Sequence, residues 1–223
     1  MTDIDWAALR DQQREIAQKA VYDGDLKDVQ RFVAVDMSSQ SFYGGENAVM
    51  YAAAVVFERG SHTPLEVATA SMIPEVPYRA GFLAFREAPV IANALEGLRS
   101  SFDLIWVDGH GLMHPRRAGI ATQLGVLLGK HSLGVGKTPL HGEIGPLEGD
   151  AGSRARVTVR EELLGFAARL RARARPVFVS PGHLCDPNAA LSFVLEHADG
   201  YRLPWPSRAA HEQANIFRRS VEE

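Results

Sequence analysis

Three carboxylates, one lysine and a few histidines are the residues of this chain whose types and spacing could do chemistry. The densest run is Asp103 to Gly129, where Asp108 leads into Gly109-His110-Gly111 and then His114, Arg116 and Arg117. A carboxylate at the end of a short apolar strand, with a histidine and two arginines behind it, suits an anionic substrate held beside a metal ion. Asp36 ends the apolar run Phe32-Val33-Ala34-Val35, and Glu87 stands at a helix start. Strand-end carboxylates on adjacent strands lie roughly 5 Å apart across a sheet, close enough to share one divalent cation. Each acid alone also has a plain reading, Glu87 as a first-turn helix acid and Asp36 as a turn residue.

Gly134-Val135-Gly136-Lys137-Thr138 matches the right-hand end of a phosphate-binding P-loop, but the loop needs a further glycine where this chain has His131, which excludes a nucleoside-triphosphate site. Lys137, just past a parallel strand and on the side where Asp108 emerges, is a candidate to contact phosphate or orient water; the alternative is an exposed loop lysine. His110, His114, His141, His183 and His211 fall in loops or at element ends, and none shows the His-x-x-x-His spacing of a zinc site on a helix. His114, beside Pro115-Arg116-Arg117, is the best placed for a catalytic or phosphate contact, and His183 is equally a structural residue. No Gly-x-Ser-x-Gly elbow offers a serine nucleophile.

The elements that must position these groups can be read from periodicity. Trp6, Leu9, Ile16 and Ala20 recur at helical spacing after a cap at Asp3 or Asp5, predicting a packing helix over residues 5–21. Strand-type runs follow at Phe32 to Val35, Ala48 to Phe57 and Leu65 to Met72, joined by turns at Gly44-Gly45 and Arg59-Gly60-Ser61 as an antiparallel meander. A helix marked by Val90, Ile91, Ala94, Leu95 and Leu98, a strand to Asp108, a helix from Gly119 and a strand from Ser132 to Val135 come next. This order implies a mixed sheet, antiparallel at one side and parallel at the other, with helices on its faces. Gly145 to Gly152 reads as a loop, and Glu161 to Arg175 fits helix by composition or strand by alternation. Val177-Phe178-Val179 reads as a strand and Asn188 to Ala198 as a helix.

With 223 residues and 46% hydrophobic content the chain suffices for one sizeable core, and one domain is expected. The single cysteine, Cys185, excludes an internal disulfide and fits a reducing compartment. The first residues lack an apolar signal core and no run approaches the roughly 20 apolar residues of a membrane span, so a cytoplasmic monomer without membrane contact is expected. The net charge of −3 is uneven: residues 99–183 carry 12 Lys and Arg against 7 Asp and Glu, and the remainder 12 against 20. The basic middle is either a footprint for a polyanion or a solvated face of alternating arginines.

The chain resembles the endonuclease V family, repair nucleases that cut near deaminated bases, chiefly deoxyinosine. The matching stretches are Val35-Asp36, Pro77-Tyr78 with Gly81 to Glu87, Val107 to Gly125, Gly134 to Lys137, Val179 to His183, and Gly200 to Pro204 with Arg208 and His211. The Asp-Gly-x-Gly-x-x-His-Pro-Arg-Arg string beginning at Asp108 is the most specific of them. The resemblance implies an α/β, ribonuclease H-like mixed sheet of five to eight strands flanked by helices. It further implies Asp36, Glu87 and Asp108 around Mg²⁺, with Mn²⁺ as the alternative ion, His211 beside them, and Lys137 and His114 near the scissile phosphate. Gly81, Leu83, Gly109, Ile120 and Leu140 match a pocket for an extruded base, with Tyr78 as the stacking wedge. The family's wedge is commonly Pro-Tyr-Ile-Pro; here it is Pro77-Tyr78-Arg79-Ala80, without the rigid apolar tip. Residues 145–160 match the family poorly.

The expected activity is therefore a Mg²⁺-dependent nick at the second phosphodiester bond 3′ to deoxyinosine in DNA. Two other readings stand beside it. Strand-end acids do not report the sugar, so inosine-containing RNA is an alternative substrate. A non-catalytic binder of deaminated nucleic acid would keep only the pocket.

Overall fold

The structure is a computed structural model and describes residues 4–39 and 48–223. The turn expected at Gly44-Gly45 and the alternative cap at Asp3 lie outside the described residues. Asp5 caps the first helix, α1 (Trp6–Lys19), its carboxylate accepting from the N–H groups of Ala7 at 2.9 Å and Ala8 at 3.0 Å. Strands β1 (Arg31–Ser39), β2 (Met50–Glu58) and β3 (Glu66–Met72) form the expected antiparallel meander. Helix α2 (Leu83–Glu96), strand β4 (Leu104–Val107), helix α3 (Ile120–Leu128) and strand β5 (His131–Gly136) follow, and β1, β4 and β5 run parallel.

Beyond β5 the sheet departs from the reading of the sequence, although the strand expected at Val177-Phe178-Val179 is present. Strands β6 (Glu143–Ile144), β7 (Arg154–Val159), β8 (Glu162–Ala168) and β9 (Val177–His183) turn back and forth, and β9 lies antiparallel to β5. The sheet order is β3-β2-β1-β4-β5-β9-β8-β7-β6, so antiparallel strands flank the parallel trio on both sides rather than on one. Among the described residues the sheet has nine strands where five to eight are expected, β6 contributing only two residues. The undecided segment from Glu161 is strand because Phe166, Ala167 and Ala168 pair with Val179, Phe178 and Val177, a non-local choice that composition does not carry.

Helices α4 (Pro187–Glu196) and α5 (Trp205–Glu222) close the chain. Alternation along β1 sends Phe32 and Ala34 to the face shared with α4 and α5, and Val33 and Val35 to the face shared with α2 and α3. Helix α5 is anchored at its start, where the indole Nε1 of buried Trp106 donates to Ser207 Oγ at 2.9 Å. No described helix is long and apolar enough to cross a membrane.

Candidate active site

The carboxyl ends of β1, β4 and β5 open into a cavity of about 750 Å³ between α2, α3 and α5. This end of parallel strands is where open α/β sheets place ligands, because loops and helix starts leave a crevice there. Val35 pairs with Val107, and the Asp108 N–H donates to the Val35 carbonyl at 3.1 Å. The register therefore brings Asp36 and Asp108 side by side. Glu87 reaches the same cavity from the second turn of α2, one turn deeper than the helix start expected for it. His211 lies within α5 rather than at an element end; its Nδ1 meets Asp36 Oδ2 at 2.8 Å. Lys137, just past β5, forms an ion pair with Asp108.

Electrostatics follow from crowding. Burial, then repulsion from Asp36 and Asp108, pushes the Glu87 carboxyl up to about 8. Burial and Asp36 raise Asp108 to about 7 against the opposing pull of Lys137. Burial works against the Lys137 charge, but Asp108 and Asp36 outweigh it and hold the ammonium above its ordinary range. The hydrogen bond to Asp36 raises His211. Among the described residues no group of three or more His, Cys, Asp or Glu side chains stands assembled as a ready metal site. The donor set nevertheless fits a hard divalent cation: three carboxylates share one cavity, and the burial and mutual repulsion that raise two of them are what such a cation offsets.

That repulsion predicts how the metal-free protein responds to pH. Glu87 and Asp108 titrate higher when folded than the 4.5 and 3.8 of free carboxyls, so the folded state keeps protons the unfolded chain has lost, and stability falls as pH rises toward about 8. His110 and His114, depressed from 6.5 to about 4, act oppositely, but the unfolded chain has finished losing their protons soon above pH 6.5. In chelator, Glu87→Gln should therefore melt higher than the native protein at pH 8, and by less at pH 6.5. Thermal melts of the two proteins check this, and a gap that shrinks with rising pH would refute it.

The other side of the cavity is built from backbone and small side chains. Tyr78, Gly81, Leu83, Gly109, Ile120 and Leu140 all line it, Ile120 buried and Leu140 exposed at the rim. Gly109 has no room for a side chain, since a Cβ there would lie 2.6 Å from Ile120 Cγ2. Gly81 takes a left-handed φ of 78°. His114 does not present a free nitrogen to the acids. Its Nδ1 accepts from the Arg116 N–H at 3.2 Å, which leaves the proton on Nε2 to donate to the Gly81 carbonyl at 3.2 Å. Burial, then Arg116, lowers its pKa to about 4, so it stays neutral at physiological pH.

Several contributors were not legible as site residues. Gln13 donates through Nε2 to the Gly81 carbonyl at 2.9 Å, and Arg202 holds the Lys137 carbonyl at 2.7 Å. Ser38, Asn215 and Arg218 line the cavity beside Asp36 and bond one another, Ser38 Oγ donating to Asn215 at 2.8 Å. Gln13 had a faint signal, because it falls on the stripe of Trp6, Leu9 and Ile16.

A family model described as Endonuclease V matches residues 14–212. Endonuclease V of Rhodospirillum centenum is 39% identical over 221 residues, covering 99% of this chain and 91% of that protein. The Methanothrix thermoacetophila enzyme is 40% identical, covering 92% and 91%. Among solved structures, Streptomyces avermitilis endonuclease V superposes with a TM-score of 0.89 at 32% identity over 99% of this chain and 96% of that one. The fold of Ciona intestinalis endonuclease V, solved with a 24mer DNA containing an inosine followed by a ribo-adenosine, matches with a TM-score of 0.83 at 22% identity, over 98% of this chain and 100% of that one. The fold class is the ribonuclease H-like mixed sheet flanked by helices, and the chain belongs to the endonuclease V family.

Proposed function

We propose that this nuclease acts in DNA repair, nicking the second phosphodiester bond 3′ to deoxyinosine or another deaminated base, with Mg²⁺ held by Asp36, Glu87 and Asp108 and Mn²⁺ as a substitute. The observation that carries the reading is one continuous cavity with two unlike walls. One wall is three carboxylates with Lys137 and His211; the other is Tyr78 and a glycine-rich backbone surface. The complex of the Ciona intestinalis protein with inosine-containing DNA supports it. On this reading residues 1–223 act as a single catalytic domain, as a cytoplasmic monomer.

The bound ion supplies charge stabilisation at the scissile phosphate and lowers the pKa of a water. The chain's own residues do the rest. The Lys137 ammonium, held in its charged form by the two aspartates, moves from Asp108 to a phosphate oxygen as negative charge develops there. Asp36 fixes the His211 imidazole through Nδ1 and leaves Nε2, on a half-exposed side chain, to hand a proton to the leaving oxygen. His114 acts on the substrate through Gly81, whose backbone it holds in place at the base pocket. Backbone groups at Gly81 and Gly109 read the edge of hypoxanthine without burying a charge.

A second reading, cleavage of inosine-containing RNA, draws on the ribo-adenosine beside the inosine in the Ciona intestinalis complex. Matched DNA, RNA and chimeric oligonucleotides with one inosine, incubated with Mg²⁺, Mn²⁺ or chelator and mapped for the cut, decide between them. No inosine-dependent cut with either ion overturns both readings and leaves a binder. For the wedge, Tyr78→Ala should slow nicking of duplex by about tenfold or more, the worth of one base–aromatic stack, and affect single strands less. Equal losses on both substrates would remove Tyr78 from duplex opening.

A further inference from the structure

Helix α1 has only one fully buried side chain, and it is polar: Gln13, at 0% exposure. A buried amide must find partners, and Gln13 finds both of them at the cavity mouth. Its Nε2 donates to the Gly81 carbonyl at 2.9 Å, and its Oε1 accepts from Arg116 Nε. The same carbonyl also receives His114 Nε2 and, at 2.5 Å, Arg116 Nη2. Three donors from two distant parts of the chain therefore converge on one oxygen.

Two turns before Gln13, on the same face of α1, Trp6 makes the second attachment. The Arg79 guanidinium lies 4.5 Å from the Trp6 ring centre and 5.6 Å from that of Phe82. Trp6 meets Phe82 edge to face at 5.2 Å, and Arg116 covers the Phe82 ring at 4.6 Å. The Phe82 N–H in turn bonds the Arg79 carbonyl at 3.0 Å. The segment between β3 and α2 that carries Tyr78 is thus held just after that residue, at Arg79 by an aromatic pair and at Gly81 by a bonded carbonyl.

We infer that α1 is a brace for the Tyr78 loop, with Trp6, Gln13 and Arg79 as positioning residues that set Tyr78 at the cavity mouth for duplex opening. The inference rests on the insertion role proposed above for Tyr78. It goes beyond the family match, which begins at residue 14 and so does not reach Trp6. Arg79 stands where the resembled family commonly carries isoleucine, so a cation stacked on two rings supplies the stiffness that an Ile-Pro tip would otherwise give. Opening a duplex needs a tip that resists being pushed back, whereas a single strand needs only an open pocket. A loose loop should therefore cost activity on one substrate and not the other.

The test uses the whole protein and two readouts. In hydrogen exchange of the protein alone, Trp6→Ala should speed exchange across residues 73–82 with little change in the central strands. On inosine duplex, Trp6→Ala should lower kcat by about fivefold with KM unchanged, because the encounter with duplex precedes extrusion; that factor is about 1 kcal/mol at 1.4 kcal/mol per decade. Nicking of inosine single strands should stay near the native rate, and Trp6→Phe should restore the duplex rate. Arg79→Ala combined with Trp6→Ala should cost less than the two single losses multiplied together, since both remove the Arg79–Trp6 contact while each also loses its own contact with Phe82. Unchanged exchange, equal losses on both substrates, or additive effects of the two variants would each overturn the brace. If the native protein nicks no inosine substrate, the proposed function fails, while the exchange result still decides whether α1 holds the loop.

Discussion

Asp108→Ala is expected to slow nicking of an inosine oligonucleotide on the order of a thousandfold or more, with little loss of lesion binding. Asp108 is the carboxylate at which the site's parts meet. Its backbone is tied to β1 through Val35, its side chain pairs with Lys137, and its neighbour Gly109 lines the proposed base pocket. Removing the carboxylate takes one donor from the cation site and releases the Lys137 ammonium from its counter-charge. It leaves the Gly81, Gly109 and Ile120 surface in place. Taking one negative charge from the path of a polyanion should, if anything, tighten binding measured in chelator. Single-turnover cleavage with Mg²⁺ and fluorescence anisotropy in chelator separate the two effects. Cation-dependent nicking at a native rate would end the assignment of Asp108 as a metal ligand.

Gly111→Ala should be among the most damaging small changes in the loop beyond Asp108. A Cβ at this position would lie 2.1 Å from the Pro181 carbonyl oxygen and 2.7 Å from its carbon, with no flexible side chain in between to yield. The loop is stitched to β9 at this point: the Gly111 N–H donates to Ser180 Oγ at 3.0 Å and the Leu112 N–H to the Pro181 carbonyl at 2.7 Å. One methyl must therefore part the two backbones and carry Asp108 away from Asp36. Overpacking of this kind costs about 1–3 kcal/mol, which lowers the melting temperature by on the order of 2–12 °C for a domain of this size. Nicking should be lost even at temperatures where the variant remains folded. Native melting together with native activity would show that the loop can move aside.

Much of this site was legible in the sequence because its chemistry is local. Asp108, Gly109 and His114 sit in one string, and a strand-type run places Lys137 just past β5; Asp36, expected to end its strand, instead lies inside β1, because the pairing with β2 carries on to Ser39. What escaped is decided by contacts far apart in the chain. Helix α5 opens on Pro204-Trp205-Pro206, which reads as a break, and beyond Trp205 its buried face is made of small residues, Ser207, Ala210 and Ala214; its attachment comes from Trp106 to Ser207 and from Ser38 to Asn215. Strands β7 and β8 escaped because arginines alternate with apolar residues in a pattern that helix and strand both allow, and only pairing with β9 settles it. The role of Gln13 depends on a carbonyl 68 positions away, which no local pattern announces.

The path of α5 has a bearing on how the protein is made. This helix follows every other element in the chain, yet it delivers the imidazole that rests on Asp36 and the Asn215 and Arg218 side chains that line the cavity. A polypeptide growing from its amino end holds Asp36, Glu87, Asp108 and Lys137 well before it holds His211. Until α5 docks against β1, the α5-facing side of the cavity is missing. A nascent or clipped chain that ends before Pro204 would therefore carry the three acids and Lys137 and still lack one side of the cavity, so that completion of the cavity waits on α5 rather than on the acids.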